Sequence, residues 1–183
     1  DSPALTYEGL AIFLTQDGLL ALDGRTGQER WKVSATKVAP RLCLGRLIVV
    51  GKSGEIQALD PSTGQSRWRT GNESFQAVAV DGPRILAASN QQVCLWDLSQ
   101  GDKLWSHKLD NPDRPALGAV ALALEKNLTA WDPATGKKLW SLPNVDHYAL
   151  SGDRVFARAG SELVGLSART GQRLWKVRSY SYE

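Results

Sequence analysis

One eleven-residue motif recurs five times along this chain, and no other feature limits its fold so strongly. The copies run Ala21–Trp31, Ala58–Trp68, Leu95–Trp105, Ala130–Trp140 and Gly165–Trp175. The closing Trp falls at 31, 68, 105, 140 and 175, in steps of 37, 37, 35 and 35 residues. A fixed period of this size marks a repeat architecture, in which one unit cannot bury its apolar face alone and stacks on its neighbours. Such a pattern says more about shape than about chemistry.

Each copy reads as a strand, a tight turn and a second strand. Asp23, Asp60, Asp97 and Asp132 sit where an aspartate side chain accepts bonds from the backbone amides of a turn. Gly27, Gly64, Gly101, Gly136 and Gly171 supply the positive φ that a tight hairpin needs. Trp31, Trp68, Trp105, Trp140 and Trp175 are then expected to pack between neighbouring units, each indole N–H reaching a polar group next door. A catalytic carboxylate is not expected four times over, so these Asp and Trp are read as structural.

The remainder of each repeat is strand as well. Apolar runs precede the motifs at Leu10–Leu14, Leu47–Val50, Ile85–Ala88, Val120–Leu124 and Val155–Ala157. Ahead of these lie short segments closed by Gly: Pro3–Gly9, Pro40–Gly45, Ala77–Gly82, Pro115–Gly118 and Tyr148–Gly152. Runs of this length between turn signals are strands, and no window holds a helical period. Each repeat thus carries four strands, A to D in chain order. The expected fold is all-β: a β-propeller of five four-stranded antiparallel blades in a single domain spanning 1–183. The blades fall at about 1–37, 38–74, 75–111, 112–145 and 146–183.

The motif Ala-x-Asp-x-x-Thr-Gly-x-x-x-Trp resembles the repeat of the quinoprotein-like propellers, the PQQ-like repeat family, and the similarity covers essentially the whole chain. Copy three carries Gln100-Gly101 in place of Thr-Gly, and copy five has Ser167 where the others have Asp. The resemblance implies that the Trp dock blades to one another. Its better-known members have eight blades, so five units read either as a small ring, expected to be monomeric, or as part of a longer protein. The resemblance also implies export, placing the chain in the periplasm or elsewhere outside the cytoplasm. The chain contains no Met and opens on no basic-then-apolar leader, which reads as a processed product or an excised domain. No apolar run approaches membrane-span length.

Quinoprotein dehydrogenases of the wider family hold a quinone and a calcium ion in a longer ring, several with a disulfide of adjacent Cys. Cys43 and Cys94 are not adjacent and fall in an A and a C strand of different repeats, so they are read as small apolar fillers and no bridge is expected. No cofactor is therefore expected, neither PQQ nor calcium. His107 and His147 lack metal-ligand spacing with either Cys, and no nucleophile elbow or phosphate loop occurs. Nucleic acid is not an expected partner, because no recognised module is present and the Trp are committed to packing.

Two surfaces remain as candidates. The net charge is only +3, but Arg and Lys gather in the loops that join A to B and C to D. A basic face there, with Arg25, Arg67, Lys138 and Arg173, would steer an anionic partner. The second candidate is a funnel rim where A strands begin: Arg41, Arg114, His147 and Tyr148. The expected function is a non-enzymatic scaffold or sensor module that binds another protein through one loop face. The wider family contains both assembly scaffolds and sensor propellers. The alternative is a propeller that binds a quinone or another small molecule, as an oxidoreductase would.

Overall fold

The computed structural model describes residues 4–34, 38–71 and 73–178; Pro3, expected to open the first A strand, lies outside the described residues. Twenty strands and no helix occur among them. The first sheet comprises β1 (Leu5–Tyr7), β2 (Leu10–Leu14), β3 (Leu19–Asp23) and β4 (Glu29–Val33). The second holds β5 (Arg41–Cys43), β6 (Arg46–Val50), β7 (Ile56–Leu59) and β8 (Ser66–Arg69). In the third are β9 (Ala77–Asp81), β10 (Arg84–Ala88), β11 (Gln92–Asp97) and β12 (Lys103–Lys108). The fourth is built from β13 (Asp113–Leu117), β14 (Ala121–Leu124), β15 (Asn127–Trp131) and β16 (Lys138–Pro143). The fifth contains β17 (Val145–Ser151), β18 (Arg154–Ala159), β19 (Glu162–Ser167) and β20 (Arg173–Arg178). Each sheet orders its strands as the chain supplies them. The fold is all-β, with the five four-stranded antiparallel blades of a β-propeller.

Two A strands start earlier than the sequence pattern indicates. β13 begins at Asp113 and β17 at Val145, rather than at Pro115 and Tyr148. The reason is a register irregularity in each, between Asp113 and Ala116 and between Val145 and His147. A bulge lets pairing run on past residues that break the alternation. Pro115 is tolerated because β13 is an edge strand of its sheet.

Contacts divide the chain into two compact units: residues 1–76 with 97–102, and residues 77–96 with 103–183. In the first unit the core lies between the first two sheets, where Ile12, Leu19, Ala21 and Trp31 meet Leu47, Val49 and Leu59. In the second unit, Leu86, Val93 and Leu95 pack on Ala121, Ala123 and Trp131, while Val120, Leu122, Leu128 and Ala130 pack on Val155, Val164 and Leu166. There β13 also packs against β9 and β17, so A strand meets A strand. Strand B of the inner blades is buried on both faces, as in Leu47–Val50, Ile85–Ala88 and Ala121–Leu124. That explains their unbroken apolar runs.

Candidate functional site

The recurring turn is one structure made five times. In each, the Gly amide donates to the carbonyl four residues back: Gly27 to Asp23, Gly64 to Asp60, Gly101 to Asp97, Gly136 to Asp132 and Gly171 to Ser167, at 2.8–3.0 Å. The Gly φ values lie between 69° and 77°, the left-handed region that disfavours a side chain. A register shift follows in every C–D pair. Asp23 Oδ1 accepts from the amides of Arg25 and Thr26, at 3.1 and 2.9 Å, and from Thr26 Oγ1. Asp60, Asp97 and Asp132 accept from Ser62, Ser99 and Ala134 in the same way. In copy five Ser167 keeps only the backbone bond of the set, which shows the backbone geometry surviving without the carboxylate.

These bonds hold two carboxyls below the usual carboxylate range. Bonds from Thr26 and Arg25 lower Asp23, and the side-chain bond from Arg67, then the Ser62 amide, lower Asp60. A depressed carboxyl stabilises the fold fully above its unfolded pKa and loses that contribution as pH falls through its folded value. Acid should therefore destabilise the turns only below about pH 3.8, the ordinary Asp value. Asp60 is only partly buried and its partner Arg67 is exposed, so solvent screens the pair and its share is small, at most about 1 kcal/mol. In pH-dependent urea titrations, the stability difference between wild type and Asp60→Asn should shrink as pH drops through this window. A difference that stays constant to pH 2 (about two units below the ordinary value) would remove the carboxylate from the account.

Four of the five motif Trp reach the turn of the following blade. The indole Nε1 of Trp31 donates to Pro61 O at 3.0 Å, Trp68 to Leu98 O at 2.9 Å, Trp105 to Pro133 O at 3.1 Å and Trp140 to Ala168 O at 2.6 Å. Each ring also lies over the turn Gly of that blade. A Cβ built on Gly64, Gly101, Gly136 or Gly171 would come within 2.5–2.8 Å of the indole. Turn conformation is one reason for these Gly; the ring seat is a second, invisible in a single repeat. Trp68 explains why residues 97–102 join the first unit, since it grips that turn. Trp175 differs: it is 45% exposed, and its ring lies across Gly165 and beside Phe156 of its own sheet, 6.1 Å between centroids.

His107 is a further fastener that spacing did not reveal. It sits two residues after Trp105 on the same strand face. Its ring stacks on Trp131 at 5.3 Å and its Nε2 donates to Gly136 O at 2.7 Å.

The rim candidates are only partly assembled. Arg114 and Tyr148 meet: the Tyr148 hydroxyl donates to Arg114 O, and Arg114 Nη1 donates to Asp146 O at 2.8 Å. Burial pushes the Tyr148 phenol above its ordinary pKa, with the Asp113 charge adding to it. This pair ties β13 to β17. His147 pairs with Arg158 in the register of β17 and β18, is exposed, and lines one hollow together with Tyr148. Arg41 opens β5, in the first unit.

The basic positions are all exposed turn or strand-end residues. Arg67 is paired with Asp60, and Arg173 with Glu162 at 3.8 Å. Among the described residues Arg25 and Lys138 have no ion pair. Cys43 is half-buried in β5 and Cys94 is buried in β11, and no group of three or more His, Cys, Asp or Glu that could hold a metal ion occurs among the described residues.

A family model described as outer membrane protein assembly factor BamB matches residues 15–143 and again 119–181. No curated protein matches the chain. Among solved structures, BamB from Moraxella catarrhalis is 21% identical, with a TM-score of 0.63 over 95% of this chain and 62% of that one. The computationally designed Ika8 protein is 18% identical, with a TM-score of 0.71 over 98% of this chain and 62% of that one. The quinohemoprotein alcohol dehydrogenase of Comamonas testosteroni is 13% identical, with a TM-score of 0.68 over 97% and 42%. At these identities the solved structures share the fold alone, and the chain spans about 62% of the first two. The family match rests on sequence and runs across nearly all of residues 15–181; the chain belongs to the outer membrane protein assembly factor BamB family of PQQ-like repeat propellers.

Proposed function

We propose that this chain is a non-enzymatic platform that binds another protein through its C–D turn surface, outside the cytoplasm. One observation carries the reading: with the exception of Trp175, the residues that recur in the motif, Asp, Thr, Gly and Trp, are committed to building a turn or seating an indole. What varies from copy to copy is the exposed set, including Arg25, Arg67, Lys138 and Arg173. Rigid turns presenting variable charge suit recognition. Membership in a family described by an assembly factor supports the same reading. No helix among the described residues is long and apolar enough to cross a membrane.

The likeness to quinoprotein dehydrogenases supports the second reading, a quinone-binding oxidoreductase, at the level of fold only. Titrating purified protein with PQQ and calcium separates the two. The scaffold reading expects no saturable change in absorbance; stoichiometric quinone binding with alcohol-dependent turnover would overturn it.

Charge gives the scaffold reading its own test. Reversing Arg25 and Arg67 together in the first unit, or Lys138 and Arg173 together in the second, should reduce capture of acidic envelope proteins. The remaining binding should depend less on salt, since screened charge pairs carry that dependence. Unchanged capture and salt dependence for both double variants would move the contact elsewhere.

A further inference from the structure

Charge is sorted by strand position. The five D strands, β4, β8, β12, β16 and β20, hold ten of the chain's 22 Lys and Arg but only one, Glu29, of its 19 Asp and Glu. Each of them is an edge of its sheet. Charge on an edge ordinarily keeps other strands from pairing there. Charge of a single sign acts more narrowly: it rejects basic strands and favours acidic ones.

Among these edges β12 is the one formed to accept a further strand. Just past it, the Leu109 amide donates inward to Gln91 O at 3.0 Å. Backbone groups alternate in direction along an antiparallel strand, so those of Ser106 and Lys108 face away from β11. Both residues are exposed, and Lys108 has no ion pair among the described residues. Trp105 and His107 bond to the fourth blade, which anchors β12 and leaves its outer edge clear. The other edges offer less. In β16, Pro143 takes the place of Lys108, three residues after the Trp, and Pro has no amide to give. β8 ends one residue after its Trp. Asp17 engages Lys32 of β4, and Glu162 engages Arg173 and Lys176 of β20.

We propose that β12 takes up an extended acidic segment of a partner protein as a fifth strand of the third blade. This rests on the protein-binding reading above and names its mode. Backbone pairing with Ser106 and Lys108 supplies affinity, and an acidic side chain beside Lys108 supplies selection. The register is limited from one side. Asp110 and Glu125 lie beyond Lys108, around a hollow of about 300 Å³ that they share with it, and they repel an acid placed there.

The test uses the whole 183-residue chain and a synthetic peptide that alternates Glu with Val. The peptide should bind saturably, slow hydrogen exchange at the Ser106 and Lys108 amides, and bind more weakly as salt rises. The same peptide with Lys in place of Glu should not bind. Ser106→Pro removes one outward amide at a position that an edge strand tolerates. It should melt close to wild type and bind about tenfold more weakly, the scale of one backbone hydrogen bond. Lys108→Glu should also keep its melting midpoint while losing most of the salt dependence. An acidic peptide that fails to bind, equal binding by the Lys version, protection on another strand, or unchanged affinity in both variants overturns the proposal. Capture of envelope proteins that persists in Ser106→Pro, yet still answers to the paired charge reversals, overturns it as well and leaves the scaffold reading standing.

Discussion

Trp68→Ala should lower the stability of the protein by about 3 kcal/mol, at the low end of the 3–5 kcal/mol range for truncating a buried Trp. The residue is half-buried rather than fully enclosed. Its removal empties the seat over Gly101 and leaves the Leu98 carbonyl without its indole donor. Against a total stability of roughly 5–15 kcal/mol for a domain, this is a large fraction. Trp31, with only 8% exposure and the same bond to Pro61, should cost more, about 4 kcal/mol. Trp175→Ala should change the monomer by no more than about 1 kcal/mol, as an exposed site does. Urea unfolding at low protein concentration reads all three. Equal losses at 31 and 175 would show that the motif Trp acts within its own sheet and not on the next turn.

Gly101→Ala should be nearly as damaging, and for two separable reasons. The residue holds φ +77°, where a side chain costs about 1–2 kcal/mol. Its new Cβ would also lie 2.7 Å from the Trp68 ring, an overpacking of about 1–3 kcal/mol. Gly27→Ala carries the first penalty without the second, because nothing lies within 4 Å of its built Cβ. The loss at Gly101 should therefore exceed that at Gly27 by about 1–3 kcal/mol. A difference below the error of the midpoints would mean that the Trp68 ring shifts aside at no cost. In that event the turn Gly would be required by backbone conformation only.

Much of the site was legible because its signals are local. Asp23 and Thr26 bond within their own turn, so residue type and spacing suffice to place them. Other parts were hidden. The bulges at Arg114 and in the start of β17 break the alternation that marks a strand, and so two A strands were read short. The Tyr148–Arg114 and His107–Gly136 bonds join residues 34 and 29 apart, and nothing in either residue's neighbourhood announces its partner. Arg41 shares with Arg114 a place at the start of an A strand, yet only Arg114 reaches a neighbouring blade's β17.

By itself the sequence determined the unit: four short strands, a turn built on Asp and Gly, and a Trp at one fixed point, repeated five times. Period, turn chemistry and apolar alternation act over a few residues, and each copy carries them whole. Tertiary structure alone decided what each unit meets. Lys138-Leu139-Trp140 and Arg173-Leu174-Trp175 are nearly interchangeable as text, yet Trp140 is seated on Gly171 and Trp175 lies exposed. Gly27 and Gly64 share one backbone conformation, and only Gly64 carries an indole. The physical reason is that burial belongs to a pair of surfaces. A repeat encodes both of its faces, but whether a face is filled depends on the neighbour that the fold brings to it.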